Sequence, residues 1–285
     1  MTAPVAFIGL GLMGTPMASR LLAAGFPLRV YNRTPGRDDA LVRAGAVRAS
    51  SVEGAAADVS AAVTMLTNDE ALRSVSLQLR SALRSGGLHV DCSTVSPALT
   101  EELEREYAAA GRLFLHSPVL GSVPQAAEGS LLLFAGGSDA AFTAAEPLLR
   151  VLGSRLWRFP SAPPATHMKL ILNSFIAGMI ATLSQGLRYA QRNGVEGATL
   201  LEVLSHSALN APMYQTKGRS ILEENYTPRF FLQNLLKDTN LFRNAALASG
   251  AEVPVADMAK QLLERAVAQG LGMEDYSAVM KSLNG

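Results

Sequence analysis

Cysteine is nearly absent. Cys92 stands alone, so no internal disulfide can form, and the four histidines make no Cys/His cluster with zinc spacing. The expected compartment is therefore a reducing cytoplasm, and no metal site is expected. Excess charge is also missing: 25 basic residues face 24 acidic ones, a formal net charge of +1. Such a balance lacks the basic field that nucleic acid or an anionic membrane would require. No long apolar run is present. The stretch 170–183 is interrupted by Asn173 and Ser174 and falls short of the ~20 residues that span a bilayer. The start, Met1-Thr2-Ala3-Pro4, has no basic region ahead of an apolar one, so neither a signal peptide nor a membrane anchor is expected. Lysine is scarce as well: Lys169, Lys217, Lys237, Lys260 and Lys281 are the whole set, and none precedes residue 169. A chain that writes most of its positive charge as arginine makes each lysine more informative. What is abundant is apolar mass. The chain is 48% hydrophobic with mean hydropathy +0.18, and 285 residues are room for two modest domains with real cores.

The first half alternates apolar runs with helical stretches. Strands are expected at 5–8, 28–32, 61–66, 88–91, 112–115 and 131–135, with helices at 13–24, 38–44, 70–83, 97–110 and 140–152. This alternation argues for a parallel sheet covered by helices on both faces, a doubly wound α/β domain. After Pro160-Ser161-Ala162-Pro163-Pro164 the strand signal ends. A single long helix is expected over 166–193, followed by helices at 197–207, 239–249 and 255–269. The boundary is placed at 163, giving an α/β domain over 1–163 and an all-helical domain over 164–285.

The turn after the first strand reads Gly9-Leu10-Gly11-Leu12-Met13-Gly14, the spacing G-x-G-x-x-G. Gly9 permits the tight turn, Gly11 lets the backbone approach a pyrophosphate, and Gly14 lets the helix pack closely on the sheet. The helix start then offers unpaired N–H groups to the phosphates. Alone the pattern is weak, but here a strand precedes it, a helix follows, and a second strand ends about 20 residues on. That second strand ends in Asn32-Arg33-Thr34, with Arg37 beyond. A carboxylate there would bind ribose hydroxyls and repel a 2′-phosphate; a guanidinium can hold one with forked hydrogen bonds. NADP is therefore expected over NAD, the other reading of Arg33 being a solvated surface residue. Asp38 and Asp39 come too late and are read as first-turn helix residues.

Met168-Lys169-Leu170-Ile171-Leu172-Asn173 opens the long helix. Lys169 and Asn173, four apart, share one face. A lysine in apolar company either snorkels to water or is held in a cleft, where a lowered pKa would let it give up a proton.

Four ordered motifs carry a resemblance that spans essentially the whole chain. They are the glycine turn running into Pro16-Met17-Ala18; Asp91-Cys92-Ser93-Thr94-Val95-Ser96-Pro97; Pro118-Val119-Leu120-Gly121-Ser122 through Ala126, Gly129 and Leu131; and Lys169 with Asn173, followed by Lys237-Asp238. Together they resemble the β-hydroxyacid dehydrogenases, the group of 3-hydroxyisobutyrate dehydrogenase, tartronate semialdehyde reductase and the glyoxylate/succinic semialdehyde reductases. The resemblance implies an enzyme with an N-terminal Rossmann-type domain, a long interdomain helix and a helical domain. It implies hydride transfer between NADPH and a small carboxylated aldehyde, with Lys169 donating the proton and Asn173 orienting substrate or lysine. It implies cofactor contacts from residues Gly9 to Gly14, from Asn32, Arg33 and Thr34, and from Leu66, Thr94 and Lys237. Ser93, Thr94, Gly121, Ser122 and Phe230 would meet the substrate. Lys237 could also depress the pKa of Lys169 through its charge.

The chain departs from the family at one motif. Many members begin it with Asp-Ala-Pro-Val-Ser-Gly-Gly; here it begins His116-Ser117-Pro118-Val119, and His116 is read as a hydrogen-bonded structural residue. The Gly121-Ser122 form and Asn32-Arg33-Thr34 lean towards the glyoxylate/succinic semialdehyde branch. The alternatives are NADP-linked oxidation of a 3-hydroxyisobutyrate- or serine-type hydroxy acid, or a non-catalytic NADP-binding regulator. Imine reductases generally replace the lysine. The stripe Ala177, Gly178 and Ala181, where the family's dimers meet, suggests a homodimer or larger homo-oligomer.

Overall fold

Val5-Ala6-Phe7-Ile8 is apolar at every position and forms β1 (Val5–Ile8), buried along its whole length, as a strand covered on both faces should be. The structure is a computed structural model that describes residues 4–283; the expectation for the first three residues lies outside that range. Two compact units, Met1–Lys169 and Leu170–Gly285, make up the chain. In the first, α1 (Gly14–Ala23), β2 (Leu28–Tyr31), α2 (Asp39–Arg43), β3 (Val47–Arg48), α3 (Val52–Ala56), β4 (Ala61–Thr64), α4 (Asp69–Ala82), β5 (Leu88–Asp91), α5 (Pro97–Ala109) and β6 (Leu113–His116) alternate as the hydrophobic pattern requires. Then come β7 (Val119–Leu120), α6 (Val123–Glu128), β8 (Leu131–Gly137), α7 (Asp139–Leu152), β9 (Gly153–Phe159) and the start of α8 (Ala162–Arg192). The second unit adds α9 (Gly197–Ser205), α10 (Pro212–Leu222), α11 (Leu232–Ala248), α12 (Pro254–Ala268) and two 3-10 segments, Leu271–Met273 and Tyr276–Ser282.

The strand order is β3-β2-β1-β4-β5-β6-β8-β7, with β9 on β8, and β1 to β6 are mutually parallel. The chain leaves β1 in one direction for β2 and β3, then crosses to β4, β5 and β6 on the other side. The crevice at the carboxyl ends of β1 and β4 is thus the switch point where such sheets bind ligands. Alternate strand residues feed two cores: Phe7, Val63, Val90 and Leu115 enter one, Ala6, Ile8, Ala62 and Phe114 the other. A third core belongs to the helical unit, around Ile180, Leu183, Leu187, Leu232, Leu235 and Leu263.

Several elements were not expected from the pattern. β9 is an edge strand with mostly exposed side chains; the open edge of β8 supplies its hydrogen bonds, so no apolar run announces it. Residues 47–48, 52–56, 119–120, 123–128 and 212–222 also hold short elements that the pattern does not show. Helix α11 opens at Leu232, seven positions ahead of the expected 239. Helix α8 begins at Ala162 and runs 31 residues. By length and composition it is apolar enough to cross a membrane, which the shorter run at 170–183 did not suggest; its Ala177, Ile180, Leu183 and Leu187 lie in the helical core. The two compact units part at Lys169, inside this helix.

One polar ladder crosses the sheet. Thr64, Asp91 and His116 sit opposite one another on β4, β5 and β6, and all three are fully buried. The Thr64 hydroxyl donates to Asp91 Oδ1 at 2.6 Å, so its oxygen is left to accept from His89 Nε2 at 2.9 Å. His89 is therefore the neutral tautomer protonated at Nε2. Burial beside Tyr107 and Phe114 outweighs the pull of Asp91 and lowers its pKa to about 4. In the unfolded chain the ring titrates near pH 6.5, so its contribution to stability is complete above that pH and is lost as pH falls towards 4. The loss amounts to about 3 kcal/mol. Urea titrations of the wild type should show stability declining across that interval, and a His89→Gln variant should lose that slope; an identical slope in both would remove His89 as its source.

Candidate active site

The glycine turn is built as its spacing demands. Gly9 has φ +96°, and a Cβ there would lie 2.3 Å from the Met65 carbonyl oxygen. A Cβ at Gly14 would lie 1.9 Å from the carbonyl oxygen of Gly9. At Gly11, by contrast, nothing lies within 4 Å of the added carbon. Two glycines are thus needed for close packing, and the middle one faces open space at the mouth of the switch point. A dinucleotide pyrophosphate fits this cradle, because Leu12, Met13 and Gly14 form a helix opening whose N–H groups lack helical acceptors.

Not every residue assigned to the cofactor is available to it. Leu10 is buried, and its N–H donates to Asn32 Oδ1 at 2.8 Å. The Asn32 amide in turn donates to the Thr34 carbonyl at 2.9 Å. Asn32 is therefore a tie between the glycine turn and the end of β2. Arg33, Thr34 and Arg37 are exposed beyond it. The two nearby acids are occupied, since Arg48 bonds both Asp38 and Asp39. Asp38 stands at the N-cap position of α2 with no side-chain capping bond, and Asp39 lies in its first turn.

The loops after β4 and β5 are tied twice. Leu66 N–H donates to Ser93 Oγ at 2.8 Å, and Ser93 donates onward to Asp91 Oδ1 at 2.6 Å. Asp69 accepts from both the backbone N–H and the hydroxyl of Ser96. Ser93 is fully buried, and its hydroxyl braces the loop by donating to Asp91 and accepting from Leu66. His116 Nδ1 lies 3.0 Å from Asp91 Oδ2, and these contacts hold the Asp91 carboxyl below its usual range despite full burial. Further along, Gly121 has φ +146°, and a Cβ there would strike Leu131 at 2.7 Å. The Ser122 N–H donates to Gln125 Oε1 at 2.9 Å, and the Ser122 side chain accepts from the Gln125 backbone N–H in a capping box.

In the helical unit, α8 and α11 meet through charged and polar groups. The Asn173 amide, 1% exposed, donates to Asp238 Oδ2 at 2.6 Å, while Lys237 Nζ lies 2.7 Å from Asp238 Oδ1. Asn173 Oδ1 is buried with no hydrogen-bond partner among the described residues. The charge of Lys237 is met by Asp238. Lys169 itself is 9% exposed: it is held, not snorkelling.

Sequence reasoning passed over Lys217 and Asp275. Both are buried and paired, with Lys217 Nζ 2.8 and 2.9 Å from the two Asp275 oxygens. Asp275 also accepts from the N–H groups of Arg229 and Phe230 and from Ser277, and Lys217 sits over the Tyr276 ring at 4.3 Å. Phe230, which packs edge-on against Tyr276, is set in place by this pair. The scarcity of lysine was the one signal that pointed to Lys217; nothing local marked its partner 58 residues away.

Comparison with known proteins agrees with this geometry. Residues 4–160 match the NAD-binding domain of 6-phosphogluconate dehydrogenase. Residues 164–283 match the NAD-binding domain of NADP-dependent 3-hydroxyisobutyrate dehydrogenase. Glyoxylate/succinic semialdehyde reductase 2 of Arabidopsis thaliana is 34% identical over 99% of this chain and 80% of its own length. A Salmonella typhimurium 3-hydroxyisobutyrate dehydrogenase superposes with TM-score 0.91 at 29% identity, covering 98% of this chain and 99% of that one. Psf3, solved with NADP+ and 2-OPP, superposes with TM-score 0.90 at 25% identity, covering 98% and 100%. A nicotinamide-binding sheet, a glycine cradle and a buried lysine on the long helix therefore belong to one lineage: this chain is an oxidoreductase of the β-hydroxyacid dehydrogenase family.

Proposed function

We propose that the protein uses NADP to interconvert a small carboxylated aldehyde, of the glyoxylate or succinic semialdehyde kind, and its hydroxy acid. The observation that carries this reading is Lys169, buried on α8 one turn ahead of Asn173, whose amide Asp238 orients. When bound, the dinucleotide supplies or accepts the hydride. Residues Gly9 to Gly14 would seat its pyrophosphate, Arg33 with Arg37 its 2′-phosphate, and Leu66, Thr94 and Lys237 its nicotinamide end. During carbonyl reduction negative charge builds on the oxygen; Lys169 donates the proton and stabilises that charge. Asn173 Oδ1 accepts a hydrogen bond from the amine or the product hydroxyl, and Gly121, Ser122 and Phe230 bound the substrate. The match to 3-hydroxyisobutyrate dehydrogenases favours a second reading, NADP-linked oxidation of a 3-hydroxy acid.

The preference for NADP over NAD rests on exposed Arg33 and Arg37 beside acids that Arg48 already neutralises. We also infer a cytoplasmic homodimer or larger homo-oligomer. Of the small-residue stripe, Ala177 turns into the helical core and offers no contact surface. The large apolar side chains that α8 leaves outward are Ile171, 40% exposed, Phe175, 60% exposed, and Tyr189, 72% exposed, with Gly178 beside Val255 of α12. Cys92 is buried, and that burial pushes its thiol up.

NADPH oxidation should be found with glyoxylate or succinic semialdehyde; turnover confined to a cyclic imine, or reduction of NADP only by 3-hydroxy acids, would overturn the substrate class. Arg33→Ala should raise the NADPH KM about 10- to 100-fold, the loss of a charge-assisted pair, with NADH little affected; equal losses would contradict the phosphate role. Phe175→Glu should shift the sedimenting species towards monomer; an unchanged species would exclude this helix face as the contact.

A further inference from the structure

We infer that His116 is a positioning residue for the cofactor loop, acting through Asp91 and Ser93 on the backbone amide of Leu66. The inference rests on the nicotinamide-dependent reading above. His116 is fully buried at the end of β6. Its Nδ1 meets Asp91 Oδ2 at 3.0 Å, while its Nε2 has no hydrogen-bond partner. Among the described residues, the ring's hydrogen bond to a side chain is with Asp91. An ionised carboxylate accepts only, so the Nδ1 carries the proton and donates. The other oxygen of Asp91 accepts from Thr64 and Ser93 at 2.6 Å each. Because the Ser93 proton is committed to Asp91, its oxygen must accept, and it accepts the Leu66 N–H at 2.8 Å. Each link fixes the direction of the next.

The chain of bonds ends where the ligand crevice begins. Leu66 follows β4, one of the two strands that flank the switch point, and Met65 beside it packs against Gly9 of the phosphate turn. A buried carboxylate that loses a donor turns, takes up a proton, or draws in water. Any of these releases Ser93 and with it the Leu66 amide. The ionisable side chains around Asp91 are His89 on β5 and His116 on β6, with Tyr107 of α5 stacked on His89. Of the two histidines, His116 is the one that donates to the carboxylate. An imidazole thus does here the work of an orienting donor in a motif that in many relatives opens with an acid.

The test compares His116→Leu, which removes the donor, with His116→Asn, whose amide N–H occupies the place of Nδ1, and with Ser93→Ala, which cuts the chain one link on. In the cofactor-free protein, amide exchange at Leu66 should quicken in His116→Leu and in Ser93→Ala, and return close to wild type in His116→Asn. NADPH Kd, from the quenching or enhancement of its fluorescence, should rise about tenfold or more in the two disrupting variants and stay within about threefold in His116→Asn. Adding His116→Leu to Ser93→Ala should weaken NADPH no further, since both break one path. Wild-type Leu66 exchange and NADPH Kd in His116→Leu would overturn the inference while leaving the enzyme reading intact, as would full additivity in the double variant. If His116→Leu does not fold, His116→Asn and Ser93→Ala decide the matter: equal impairment of NADPH binding in both, with both folded, overturns it. Failure of the wild type to bind NADPH at all would instead sink the cofactor reading, and the inference with it.

Discussion

A carboxylate taken out of water keeps its charge only if donors surround it, and three such carboxylates organise this protein. Asp91 gathers Thr64, Ser93 and His116 at the ends of three adjacent strands. Asp238 joins Asn173 and Lys237 across two helices. Asp275 collects Lys217, Ser277 and the backbone ahead of α11. Each sits at 2% exposure or less, and each holds in one arrangement a group of the proposed site: the Leu66 amide, the Asn173 amide and the Phe230 ring. Apolar packing sets the shape of the two units; these three acids set the directions of polar groups within it.

The glycine turn adds a steric constraint of the same kind. At Gly9 and Gly14 a methyl group would overlap backbone oxygens, whereas at Gly11 it would meet open space. Two positions are glycine so that β1, β4 and α1 can close on one another, and the third is glycine where a ligand backbone can approach. Asn32, expected to face the cofactor, secures this turn instead by accepting the Leu10 N–H. The proposed selectivity for a 2′-phosphate rests on Arg33 and Arg37, with Arg48 bonded to the two nearby acids.

Much of the first unit was readable from the chain because strands buried on both faces print as unbroken apolar runs, as in Val5-Ala6-Phe7-Ile8, and because glycines mark their ends. That Lys169 and Asn173 share a helix face was readable from their spacing; the role expected of them came from the resemblance. What escaped was non-local or shaped by neighbours. β9 takes its hydrogen bonds from the edge of β8 and needs no apolar face. The opening of α11 is set by Asp275, more than forty residues later, so its first two turns carried no cue. The Ser93 hydroxyl reads as a substrate ligand until the position of Leu66 shows it already engaged.

The account turns on the amine of Lys169 giving a proton to the oxygen of the reacting carbonyl. Its most direct test is single-turnover reduction by a Lys169→Ala variant saturated with NADPH. General acid catalysis is worth about 10²–10⁴-fold, so the rate should fall within that range while the NADPH Kd stays at its wild-type value. A rate that survives the substitution unchanged would leave the buried lysine without a chemical role and would contradict the mechanism.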